Sequence, residues 1–158
     1  LSLTAAALFS CSGTASSGIP LFNGVSFQLQ ADERTVELRP ADREYFNSIL
    51  EVSDIQIPLF RRIESPTHSI YIGLPIGTSL EEMNTLMRDH SITSSSSMST
   101  NEAYVHHAFK HSSDSSYVIQ HLHAFDNNLV LVLVITENQT IAENAFQADS
   151  IAVRFTRS

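Results

Sequence analysis

Residues 129–135 read Leu129-Val130-Leu131-Val132-Leu133-Val134-Ile135, with Leu or Ile at every odd position and Val at every even one. A strand sends successive side chains to opposite faces, so this run is apolar on both. A strand of that kind is expected in the interior of a sheet, with helices or another layer above and below it. Two further runs precede it, Tyr104 to His111 and Tyr117 to Phe125, giving three consecutive strands. The link Asp126-Asn127-Asn128-Leu129 suits a tight type I′ hairpin, because Asn tolerates positive φ.

Downstream, Thr140 and Glu143 have capping-box spacing, with Ile141, Ala142, Ala145 and Phe146 turned inward. Ile151, Val153 and Phe155 are expected to close the chain as a short strand. Upstream, Ser79 and Glu82 form the clearest helix start, followed by an apolar stripe of Leu80, Met83, Leu86 and Met87. The runs Asp54 to Phe60 and Ser69 to Leu74 read as strands joined through residues 61–66. Pro58 inside the first of them implies an edge or bulged strand. Pro40 suits a first helical turn, with Ala41, Tyr45, Phe46, Ile49 and Leu50 facing in and Asp42, Arg43 and Glu44 facing away. Val25, Phe27 and Leu29 alternate with polar residues, and Val36 and Leu38 resume the pattern after Ala31-Asp32-Glu33-Arg34, as in a half-buried hairpin. Residues 91–102 are serine-rich and lack the apolar content to fold alone, so a mobile loop is expected.

The resulting order is ββ-α-ββ-α-βββ-α-β, an α+β domain with a mostly antiparallel sheet and three helices packed on it. The long hairpin strand, the helix after it and the terminal Ile151-x-x-x-Phe155 segment loosely resemble the Mog1/PsbP-like fold over the last third of the chain. Its 158 residues fit one domain, and 42% apolar against 16% charged residues is a globular composition. A net charge of −8 argues against nucleic acid and against a basic face lying on an anionic membrane.

The single Cys excludes an intrachain disulfide framework. It lies at position 11, after an uncharged apolar segment too short to span a bilayer. Leu8-Phe9-Ser10-Cys11 resembles the lipobox of bacterial lipoproteins. Leu8, Ser10 and Cys11 match the pattern, while Phe9 is bulkier than the family's small residue. The resemblance implies that residues 1–10 are a signal-peptide remnant and that Cys11 carries the lipid. Residues 11–18 then serve as a Ser/Gly tether, and residues 19–158 form the domain. It also implies the periplasmic face of the cell envelope, with membrane contact through the lipid alone. Ser12, where an Asp would signal inner-membrane retention, favours the outer membrane.

Five of the seven histidines fall between positions 106 and 123. A five-residue loop from Ser112 to Ser116 would place His107 opposite His121, with His123 two residues further along the same face. Imidazoles at that spacing suit one Zn²⁺ or Cu²⁺ ion. A one-residue change of register replaces His107 with His106. No Gly-x-Ser-x-Gly elbow, Walker loop or dinucleotide fingerprint occurs, and no catalytic residue is assigned. The expected role is that of a lipid-anchored, non-catalytic protein that binds another macromolecule, a basic protein by charge, as inhibitor, assembly factor or adaptor. The alternative is a metal-binding envelope lipoprotein using His107, His121 and His123.

Overall fold

The computed structural model describes residues 18–50, 56–89, 93–98, 103–111 and 115–158. Cys11, the expected signal remnant and all of the tether before Gly18 lie outside the described residues. The described elements are β1 (Gly18–Phe22), β2 (Val25–Gln28), β3 (Arg34–Val36), α1 (Pro40–Leu50), β4 (Leu59–Glu64), β5 (Ser69–Gly73) and α2 (Leu80–Asp89). They continue as β6 (Thr93–Met98), β7 (Ala103–His111), β8 (Ser116–Phe125), β9 (Asn128–Thr136), α3 (Gln139–Phe146), α4 (Ala148–Ala152) and β10 (Phe155–Arg157). The class is α+β, as the sequence implies. A seven-stranded sheet runs β3-β4-β5-β9-β8-β7-β6, and a three-stranded sheet runs β1-β2-β10. Every neighbouring pair is antiparallel.

The alternating run of β9 lies near the middle of the large sheet, between β5 and β8. Leu129, Leu131, Leu133 and Ile135 pack with Phe46, Ile49 and Leu50 of α1 and Met83 of α2. Val130, Val132 and Val134 pack on the other face with Phe27 of β2, Ala142 and Ala145 of α3 and Ile151 of α4. The sheet therefore has helices on one face, and helices together with the small sheet on the other. Each fully buried side chain of this kind contributes roughly 1.5–3 kcal/mol.

The hairpin from β8 to β9 turns one residue earlier than expected, on Asp126 and Asn127, with Phe125 opposite Asn128. Of its two turn residues only Asp126 has positive φ, at 56°, which is the pattern of a type II′ turn and not the expected type I′. Ser79 caps α2 as expected: its Oγ accepts from the Glu82 amide at 3.1 Å and donates to Glu82 Oε1 at 3.1 Å.

Other expectations are corrected. β2 and β3 do not form a hairpin: β2 joins β1 and β10, whereas β3 pairs with β4. The partner of β2 is reached through Asn23 and Gly24, whose φ angles of 26° and 79° make a two-residue turn with both centres in the left-handed region. Part of the serine-rich segment, Thr93–Met98, is a strand at the edge of the large sheet, paired residue by residue with β7. Edge pairing draws on backbone groups, so the low apolar content of this segment does not prevent it.

Arg61 to Glu64 belong to β4 and not to a connection. Pro58 stands just before that strand, its carbonyl accepting from the Leu74 amide at 3.1 Å, and the register shifts between Leu59 and Arg61. β4 is bulged but is not an edge strand. Asp42 does not face away but is buried at 4% exposure. Its carboxylate accepts from the Arg39 amide at 2.8 Å and pairs with Arg62 at 2.7 Å. Burial raises the Asp42 pKa, yet the Arg39 hydrogen bond and the Arg62 charge outweigh it and leave the group below its usual range. Ala41, expected inside, is exposed. α3 is capped by Asn138, whose Oδ1 accepts from the Ile141 amide at 3.1 Å, instead of by Thr140. Ile151 lies in α4 and Val153 in the following turn, so the last strand is only Phe155–Arg157.

Candidate functional site

Three turns meet at one end of the face that carries α3 and α4. The first, Gln30 to Glu33, closes with the Glu33 amide donating to the Gln30 carbonyl at 3.1 Å. The Glu33 carboxylate reaches back to the Gln30 amide at 2.9 Å. The second, Ser65 to His68, is drawn together by Ser65 Oγ, which accepts from the Thr67 and His68 amides at 3.2 and 3.1 Å. This is the local bonding that favours serine in turns. The third follows α4 and delivers Arg154, whose amide donates to the Ile151 carbonyl at 3.0 Å.

The side chains of Glu33, His68 and Arg154 converge. His68 Nε2 lies 2.6 Å from Glu33 Oε2. Arg154 grips the same carboxylate with both terminal nitrogens, Nη1 at 3.2 Å from Oε2 and Nη2 on Oε1. Its Nε and Nη2 also donate to the Gln28 carbonyl at 3.0 and 2.9 Å, and its guanidinium lies 4.6 Å from the centre of the Phe27 ring. The side chains of Glu33, Arg154 and His68 are 0%, 9% and 10% exposed. Burial pushes the Glu33 carboxyl upward, but hydrogen bonds from His68, Arg154 and the Gln30 amide, with the Arg154 charge, bring it down to about 2. The carboxylate is therefore ionised throughout the neutral range.

Above this triad opens a cavity of about 300 Å³. Ile70, Val134, Ile141, Ala145 and Ile151 supply aliphatic walls, and Gln30, Asp32, Thr67, Asn144 and Ser150 bring polar groups beside His68 and Arg154. That mixture of apolar wall and a few polar groups is typical of a recognition site. Thr67 Oγ1 and Ser65 Oγ lie 2.9 and 3.0 Å from His68 Nδ1, which links hydroxyl, imidazole and carboxylate in a row. Ser65 Oγ is already occupied by backbone amides, and the Glu33 carboxylate is shared between His68 and Arg154. The row holds the His68 ring from both sides.

The strand register expected for the histidine trio is not the one adopted. β7 and β8 pair one residue out of the expected register: His106 lies opposite His121, and His107 opposite Gln120. His121 and His123 are buried, with ring centres 5.9 Å apart and planes 12° apart. His123 also stands 4.7 Å from Phe155. His121 Nε2 donates to the Ala145 carbonyl at 2.5 Å. The pair thus stacks within an aromatic column under α3. Among the residues whose side chains are described, which leave out those of β7, no group of three or more His, Cys, Asp or Glu is placed to hold a metal ion.

None of Glu33, His68 and Arg154 stands out in the sequence as a site residue. Glu33 and His68 are 35 positions apart, and Glu33 and Arg154 are 121 apart, so no local motif joins them. Comparison with known protein families and with curated proteins finds no match to this chain.

Proposed function

We propose that this chain is a cell-envelope protein, anchored by lipid on Cys11, whose α+β domain binds a protein partner without catalysing a reaction. The observation that carries the binding role is the cleft over Glu33, His68 and Arg154. Its charged floor is held in mutual pairing, with the Glu33 carboxyl far below the neutral range, so the base of the cleft keeps a fixed shape. A net charge of −8 favours a basic partner. The anchor rests on the lipobox-like Leu8-Phe9-Ser10-Cys11, and the same resemblance supports a position on the periplasmic side, the outer membrane being favoured. Among the described residues no helix is long and apolar enough to cross a membrane.

Mass spectrometry of the mature N-terminus, on protein extracted from native membranes, tests the anchor. A diacylglyceryl-modified Cys11 as first residue is expected. An unmodified chain that retains residues before Cys11 would remove the anchor.

A further inference from the structure

The charges lining the cleft are unevenly matched. Arg154 is neutralised by Glu33 beneath it, and His68 is bonded to that same carboxylate. Asp32, exposed at the mouth, enters no ion pair among the described residues. It also borders a second cavity with Arg34 and Glu64, and Glu64 is paired with Arg62 on its own strand. The cleft therefore presents aliphatic walls of Ile70, Val134, Ile141 and Ile151 below one exposed carboxylate that enters no ion pair among the described residues.

From this we infer that the cleft is a socket for a lysine side chain presented by a protein partner, an inference that rests on the binding role proposed above. A lysine stem of four methylenes covers aliphatic surface while its head stays near water. The compact ammonium suits a single carboxylate, whereas a guanidinium is adapted to two-pronged pairing. A volume of about 300 Å³ is at the lower end for ligand pockets, which fits one side chain better than a whole small molecule. The acidity of the chain as a whole complements the basic segment that would carry such a residue.

The test is an NMR titration of the isotope-labelled full chain with n-hexylammonium, hexanol and hexanoate. Hexylammonium is expected to shift the amide signals of Ile141, Asn144 and Ser150 and to bind more tightly than hexanol, with hexanoate weakest. Asp32→Asn, a substitution at an exposed position, should lower hexylammonium affinity by about three- to fivefold and leave hexanol unchanged. Hexanoate binding as tightly as hexylammonium, an Asp32→Asn variant with undiminished affinity, or shifts confined to other parts of the chain would overturn the socket. A protein partner captured equally by Asp32→Asn would also overturn it while supporting the binding role. Hexylammonium binding in a chain that captures no protein would keep the socket and overturn the partner.

Discussion

Replacing Glu33 by Gln removes one charge and keeps the size of the side chain, so its effect reports on the buried network alone. In the folded protein the Glu33 carboxylate receives the Gln30 amide, His68 Nε2 and two guanidinium nitrogens of Arg154. In Glu33→Gln the Arg154 cation, 9% exposed, is left without its counter-charge. Breaking a buried pair from one side costs about 3–5 kcal/mol, a large share of the roughly 5–15 kcal/mol available to a domain. Urea denaturation followed by far-UV circular dichroism measures the loss, since the chain has no Trp for fluorescence. Arg154→Met should cost a similar amount, and the double variant should cost clearly less than the sum of the two.

The same carboxylate predicts an acid limb. Its pKa lies at about 2 in the fold against 4.5 for the ordinary group, so its contribution is complete above about pH 4.5 and disappears as pH falls toward 2. The limb amounts to roughly 2–3 kcal/mol. It should be present in the wild type and missing in Glu33→Gln, the difference between the two isolating Glu33 from other carboxylates such as Asp42. A single-variant loss below about 1 kcal/mol, additive double-variant costs, or identical acid limbs would refute the reasoning.

Two further substitutions probe the packing on either face of the large sheet. A Cβ placed at Gly73 would meet Phe46 Cζ at 2.6 Å and Ile57 Cγ2 at 2.8 Å, so Gly73→Ala should destabilise by about 1–3 kcal/mol; an unchanged urea midpoint would show that α1 yields freely. Asn138→Ala removes the cap of α3, whose Oδ1 holds the Ile141 amide at 3.1 Å, and should cost about 1 kcal/mol. Asn138→Ser should recover most of that cost in the same denaturation assay, and equal losses in both variants would contradict the capping role.

The parts of the fold that could be read in the sequence are those where local pattern and tertiary environment agree. Residues 129–135 show alternating Leu and Val because each set has its own apolar layer. The spacing of Ser79 and Glu82 marks the start of α2 because a capping interaction is local. β2 and β3 could not be separated by periodicity, since alternation says which face is buried but not which strand is the neighbour. Asn23-Gly24 was the legible signal for the true partner of β2. The serine-rich β6 carries no apolar signal because its pairing with β7 uses backbone groups.

The histidine register turned on a single residue of loop length: His111 lies opposite Ser116, where a five-residue loop would have set it opposite Tyr117. Asp42 looked like a solvent-facing helix residue because its partner, Arg62, is 20 positions away. Glu33, His68 and Arg154 were hidden for the same reason at longer range, and the candidate cleft with them.

Site-specific photo-crosslinking on the membrane-tethered full chain tests the central claim most directly, with the crosslinker at exposed Asn144 on the cleft or at exposed Ser48 on α1. A defined protein adduct is expected from position 144 and none from position 48. The adduct should diminish with Asp32→Asn and disappear when Cys11→Ser releases the chain from the membrane. Equal adducts from both positions, or an unsubstituted chain that fractionates as soluble protein and gives no adduct, would contradict both the anchor and the cleft as binding site.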